Sequence, residues 1–266
     1  MAPRAIPTEI FERIMDDLYA DLDLRSVGLC ALVSSEWTPR SRYLLFSAVD
    51  LACSDFSGFL ELLGSRTCTL ASAVCTLHVD AEPDDGASAE AVCSFVTSWE
   101  FGRLARVQSL RLSNIDWTRF SLFEQAAIES GFARLIQLTK IELLSLSFHD
   151  LKSALRLASS FPRLTHLRLI DLRFSKYLEY NISSAKTHPI PCAWENVEIE
   201  SGDAVPAFLG CLCANVAVGI RVLKLVHIDE DHRSRVHEAL RFVDFPQCDS
   251  FMLSEDTKHP TCVQRK

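Results

Sequence analysis

Leu164-Thr165-His166-Leu167-Arg168-Leu169 decides the fold. In an extended chain successive side chains point to opposite faces, so Leu167 and Leu169 share one face and Arg168 takes the other. The same apolar-x-x-apolar-x-apolar window recurs as Phe46-x2-Val49-x-Leu51, Val74-x2-Leu77-x-Val79, Val107-x2-Leu110-x-Leu112 and Leu138-x2-Ile141-x-Leu143. It continues as Trp194-x2-Val197-x-Ile199, Ile220-x2-Leu223-x-Leu225 and, more weakly, Cys248-x2-Phe251-x-Leu253. About one window in nine would match by chance in a chain this apolar, so a single match means little. The regular spacing carries the weight: successive windows lie 26 to 33 residues apart.

The intervals between windows keep helical spacing. Phe56, Phe59, Leu60 and Leu63 do so, as do Val92, Phe95, Val96 and Trp99, then Leu151, Leu155 and Ala158. Val205, Phe208, Leu209 and Leu212 follow, with Val236, Leu240 and Val243 after them. The interval 175–193, with Pro189 and Pro191, reads as loop. A unit of strand, turn and helix cannot cover its own apolar side, and stacked units bury one continuous core. The expectation is an α/β solenoid with a parallel curved sheet over residues 47–266. Residues 257–266 are short for the polar cap that such an array needs.

The middle residue of each window then faces the concave side. That column reads Asp50, His78, Arg111, Glu142, Arg168, Glu198, Lys224 and Met252, and its charge alternates from Arg111 to Lys224. Opposite charges on neighbouring strands attract laterally, by roughly 0.2–1 kcal/mol per pair. One reading is a self-neutralising ladder. The other makes His78, Arg111, Glu142, Arg168, Glu198 and Lys224 a groove for a charged segment of a client protein.

Residues 1–46 follow a different period. Pro7-Thr8-Glu9 reads as a helix start, and Ile10, Ile14 and Leu18 recur every fourth residue, flanked by Phe11, Met15 and Leu22. Ala20-Asp21-Leu22-Asp23 breaks that pattern. A second helix places Val27, Cys30, Ala31 and Ser34 on one face and Leu29, Leu32, Val33 and Trp37 on another. Pro39 opens a third short segment with Arg40, Arg42, Tyr43 and Phe46. About forty residues bury too little apolar surface to be stable alone, so this set points to a partner.

Ile6-Pro7-x-Glu9-Ile10-x3-Ile14-x3-Leu18, followed by Val33-x3-Trp37, resembles the F-box. Cys30-Ala31-Leu32-Val33-Ser34-Ser35-Glu36-Trp37-Thr38-Pro39-Arg40-Ser41-Arg42-x3-Phe46 is similar to the variety abundant in mushroom-forming fungi. The link between the first two helices is a few residues longer than the commonest F-box spacing. The resemblance implies a three-helix module that docks on a Skp-type adaptor and, through it, on a cullin ubiquitin ligase. By position, Ile6, Pro7, Ile10, Ile14, Leu18, Leu32, Val33 and Trp37 are the implied contacts, Pro7 and Trp37 foremost. The repeat resembles an irregular leucine-rich-repeat solenoid, with Asn114 one position early as its nearest approach to that family's asparagine.

Composition narrows the function classes. A net charge of −8 offers no general attraction to nucleic acid or to an acidic membrane, and the basic residues Arg103, Arg106, Arg163, Arg168 and Arg173 are dispersed among leucines. The chain lacks an apolar run long enough to span a bilayer, and Glu9, Glu12, Asp16 and Asp17 are foreign to a secretory leader. The ten cysteines include no Cys-x-x-Cys pair and sit mostly in apolar stretches, so buried, reduced thiols in cytoplasm or nucleus are expected. His227, His232 and His237 are five apart, which scatters their rings around a helix, and Cys211-x-Cys213 diverges likewise. Phosphate-binding glycine loops and nucleophile elbows are missing. The expectation is an adaptor that is not an enzyme, with no cofactor and no metal, whose alternative is a non-catalytic scaffold carrying a degenerate F-box.

Overall fold

The computed structural model describes residues 7–81, 86–175, 194–200, 208, 220–226, 250–254 and 261–263. Side chains are described for these residues except 86, 87, 250–254 and 261–263. The expectations for Ile6, for the loop 176–193, for the helices around Val205, Leu209, Leu212, Val236, Leu240 and Val243, and for His227, His232, His237, Cys211 and Cys213 lie outside the described residues, as does the Met252 side chain.

Three helices come first: α1 (Thr8–Ala20), α2 (Leu24–Val33) and α3 (Thr38–Phe46). Leu22 takes a positive φ of 60° between α1 and α2, and the Asp23 carboxylate accepts from Ser26 N at 3.0 Å to cap α2. Phe11, Met15, Val27 and Leu44 form a small buried cluster, against which Leu18, Tyr19, Cys30, Trp37 and Leu45 are partly buried. Arg40 of α3 pairs with Asp16 of α1 at 2.6 Å, and Ser41 donates to the Met15 sulfur at 3.1 Å.

Strands and helices then alternate: β1 (Ala48–Ala52), α4 (Phe56–Gly64), β2 (Thr76–Asp80), α5 (Gly86–Thr97), β3 (Ser109–Ser113), α6 (Leu122–Phe132), β4 (Lys140–Leu144), β5 (Ser147–Phe148), α7 (Leu151–Ser159), β6 (His166–Ile170) and β7 (Arg173–Phe174). After them come β8 (Asn196–Glu200), β9 (Val222–Val226), β10 (Ser250–Ser254) and β11 (Thr261–Val263). Nine strands form one sheet in the order β1-β2-β3-β4-β6-β8-β9-β10-β11, which is also their order in the chain. All neighbours pair in parallel except β11, which is antiparallel to β10. The sheet is therefore open, with β1 and β11 at its ends. A second, two-stranded sheet pairs β5 with β7.

A repeated hydrogen-bond device holds this register. One carbonyl before each strand accepts two consecutive amides of the next unit: Cys75 O from Gln108 and Ser109, Gln108 O from Thr139 and Lys140, Thr139 O from Thr165 and His166, and Thr165 O from Glu195 and Asn196, all at 2.8–3.1 Å. At the other end Asn114, Ser145 and Asp171, each directly after its strand, take positive φ values of 58°, 53° and 49°. Their amides donate to Leu144 O, Ile170 O and Glu200 O, the last carbonyls of the following strands. Among residues with a side chain, asparagine and aspartate suit such left-handed backbone best, so Asn114 holds a turn here and also donates to Asp80 at 2.8 Å.

One continuous core runs along the array. The second and fourth residues of β2, β3, β4, β6, β8 and β9 are all buried, Leu77 and Val79 through Leu223 and Leu225. Behind them runs an aromatic chain from Phe56 to Phe95 (ring centroids 4.4 Å), Phe101 (5.2 Å), Phe132 (5.9 Å) and Phe161 (6.1 Å). Offset and edge-on pairs of this kind add about 0.5–1.5 kcal/mol each beyond their buried area. Trp99 departs from its expected helix face: α5 stops at Thr97, and Trp99 is 66% exposed. The cysteines Cys30, Cys53, Cys68, Cys75 and Cys93 are partly exposed instead of fully buried; all but Cys75 pack against the margin of a core.

Candidate functional site

The N-terminal helices turn some of their apolar residues inward and leave others in water. On α1 the flanking pair Phe11 and Met15 is buried, while Ile10 and Ile14 are exposed. On α2 Val27 goes in, and Leu29, Leu32 (81% exposed) and Val33 (68%) stay out. Leucines scattered singly on a surface mean little. Two exposed stripes on helices packed against each other are informative. Two expected contacts change role. Leu18 is partly buried in the internal cluster, and Trp37 stacks on Phe11 with centroids 5.1 Å apart, because this small unit has few other large groups to complete its core. Pro7 is exposed just ahead of α1, its carbonyl accepting from Ile10 N at 3.1 Å.

The strand array presents the second surface. Asp50, His78, Arg111, Glu142, Arg168, Glu198 and Lys224 lie side by side in strand register. Arg111 places two nitrogens on one Glu142 oxygen at 2.8 and 2.7 Å, and Lys140 holds the other at 2.7 Å. Glu142 is consequently 5% exposed, so this member of the expected client-binding column is sealed from any client. Burial alone would raise its pKa, but the hydrogen bonds from Lys140 and Arg111 outweigh that and hold it below the ordinary glutamate value. The charges alternate in register, but the lateral pairing has a gap. Arg168 forms no ion pair with Glu142 among the described residues, and turns instead to Glu198 at 3.5 Å and Glu200 at 3.3 Å. Lys224 closes on Glu198 at 2.8 Å. An open pocket of about 340 Å³ spans this gap from β4 to β9, its lining including Lys140, Glu142, Arg168, Glu198 and Lys224.

At the β1 end, His78 Nδ1 lies 3.1 Å from Asp50 and its Nε2 lies 2.6 Å from Ser113 Oγ. Carboxylate, imidazole and hydroxyl stand in the order of a nucleophilic relay. Ser113, however, is 2% exposed, so no substrate carbonyl can reach its oxygen. The trio is a polar bridge across three strands.

No known family model matches this chain, and a search of curated proteins finds no similar sequence. Among the described residues no group of three or more His, Cys, Asp or Glu side chains could hold a metal ion. No described helix is long and apolar enough to cross a membrane.

Arg103, one of the basic residues dispersed among leucines, reaches back to the Leu63 and Ser65 carbonyls at the end of α4. Arg134 does the same for α5, donating to Val96 O and to Ser98 O. Each arginine thus satisfies carbonyls left open at the end of the preceding helix. The signal lies in a short motif: Phe101-x-Arg103-Leu104, Phe132-x-Arg134-Leu135 and Phe161-x-Arg163-Leu164. Its phenylalanine supplies the aromatic chain and its first two arginines supply the caps.

Proposed function

We propose that this chain is the substrate-recognition adaptor of a Skp-cullin-F-box type ubiquitin ligase, docking on a Skp-type adaptor through its N-terminal helices and holding a client protein on its strand face. On this reading residues 1–46 are an F-box-like module, and residues 47–266 behind it form an irregular leucine-rich-repeat-like solenoid. The chain works by proximity, raising a client's effective concentration at chemistry that other subunits perform. It has no catalytic residue of its own on this reading, and its place is the cytoplasm or nucleus.

The observation that carries the reading is the exposure of Ile10, Ile14, Leu29, Leu32 and Val33 on a unit whose internal core is already formed by other residues. A second apolar surface of that kind is what a helical partner covers. The test is a pull-down of a Skp-type adaptor by the full chain and by Leu32→Asp with Val33→Asp. Capture is expected to fall at least about tenfold, since each charge would be buried unpaired in the interface. Undiminished capture would sink the docking assignment. Trp37→Ala is a poorer probe, because it opens the Phe11 stack as well.

A further inference from the structure

The charged strand face is unevenly divided, with the aspartates Asp50 and Asp80 at its β1–β2 end. From β3 to β9 its strand residues include four cations, Arg111, Lys140, Arg168 and Lys224, against three carboxylates, Glu142, Glu198 and Glu200. This excess of one positive charge lies on a chain whose net charge is −8. Hydrogen-bonding capacity is skewed the same way. Both Glu142 oxygens are engaged, and one Glu198 oxygen serves both Lys224 and Arg168. A guanidinium carries five donors and an ammonium three, so the cations retain donors after these contacts are made. A ligand on the β3–β9 stretch meets more open donors than open acceptors and one surplus positive charge.

Spacing adds a further constraint. Arg111, Arg168 and Lys224 sit on every second strand, so they repeat at roughly 9.6 Å across the sheet. A polyproline II segment returns to the same face every third residue, after about 9.3 Å. Fully extended chain fits worse, because its third residue faces the opposite way. We propose that the face from β3 to β9 binds an acidic client segment in polyproline II form, with Asp or Glu at every third position and one carboxylate on each of Arg111, Arg168 and Lys224. This rests on the client-holding reading above and names its ligand class. A nucleic-acid strand fits less well: its unbroken row of phosphates would lie over Glu198 and Glu200 as well as over the cations.

The experiment measures fluorescence anisotropy of labelled peptides on the full chain at low salt. Repeated Glu-Pro-Pro triplets should bind, and repeated Lys-Pro-Pro triplets should not. Arg168→Gln with Lys224→Gln should weaken the acidic peptide about tenfold or more. Glu198→Gln should strengthen it about threefold, a gain that a misfolded protein cannot produce. Equal binding of a peptide with the same glutamates in one block overturns the spacing. Tighter binding of oligothymidylate overturns the ligand class, and no binding of the triplet peptide overturns the inference as a whole. Capture of the Skp-type adaptor by the same protein is read separately, so either result can fail without the other.

Discussion

The N-terminal helices and the strand array use the same leucines, isoleucines and valines and dispose of them in opposite ways. In the array Leu110, Leu112, Ile141, Leu143, Leu223 and Leu225 have no accessible surface at all, because each lies in the one continuous core on a strand with a neighbour on either side. In the helices, Leu32 and Val33 stand mostly in water. Burial here follows from the number of neighbours the fold supplies, and residue type alone does not fix it. A stacked unit borrows cover from the next unit, while among the described residues the three short helices have no such neighbour over Leu32 and Val33.

Placing the same charge in both regions tests this difference most severely. Leu167→Asp puts a carboxylate between strand and helix and is expected to cost about 4 kcal/mol or more, abolishing cooperative unfolding in a denaturant titration. Leu32→Asp is expected to stay within about 0.5 kcal/mol of the parent. Similar losses in the two variants would erase the contrast. A subtler probe is Gly131, on α6 where it meets α5. A methyl group there would lie 2.6 Å from Val96 O, so Gly131→Ala should cost about 1–3 kcal/mol and lower the thermal midpoint. Gly28 on α2 has no such close neighbour, and Gly28→Ala should leave the midpoint unchanged or raise it. The smallest effect is acid sensitivity. Glu142 has a folded pKa below its ordinary 4.5, so its stabilisation is present above that value and is lost as pH falls through the folded value. Glu142→Gln should therefore flatten the acid limb of stability measured by denaturation. An unchanged limb would mean that Arg111 and Lys140 do not hold the carboxylate ionised.

The strand register was open to reading because it has only one solution. Alternation with period two leaves no choice of face, and the spacing of windows placed Asp50, His78, Arg111, Glu142, Arg168, Glu198 and Lys224 in the row they occupy. What each side chain then does was not legible. Lys140 lies two residues before Glu142 on the same face, yet a single column of alternating charge had no place for it, so the sealing of Glu142 was missed. Trp37 falls at the F-box spacing, but spacing says nothing about whether an indole turns outward or stacks on Phe11. The helix caps at Arg103 and Arg134 were visible only as a recurring Phe-x-Arg-Leu. An arginine among leucines reads as a surface residue until the neighbouring helix end is in view.

The sheet's order has a consequence for synthesis. Within the nine-stranded sheet each strand from β2 onward joins directly beside the strand of that sheet made before it, and among the described residues no later strand is inserted between two earlier ones. A nascent chain leaving the ribosome can therefore deposit its units in the order of translation, each finished edge serving as the template for the next. The portion already emerged never has to reopen to admit a newly made strand.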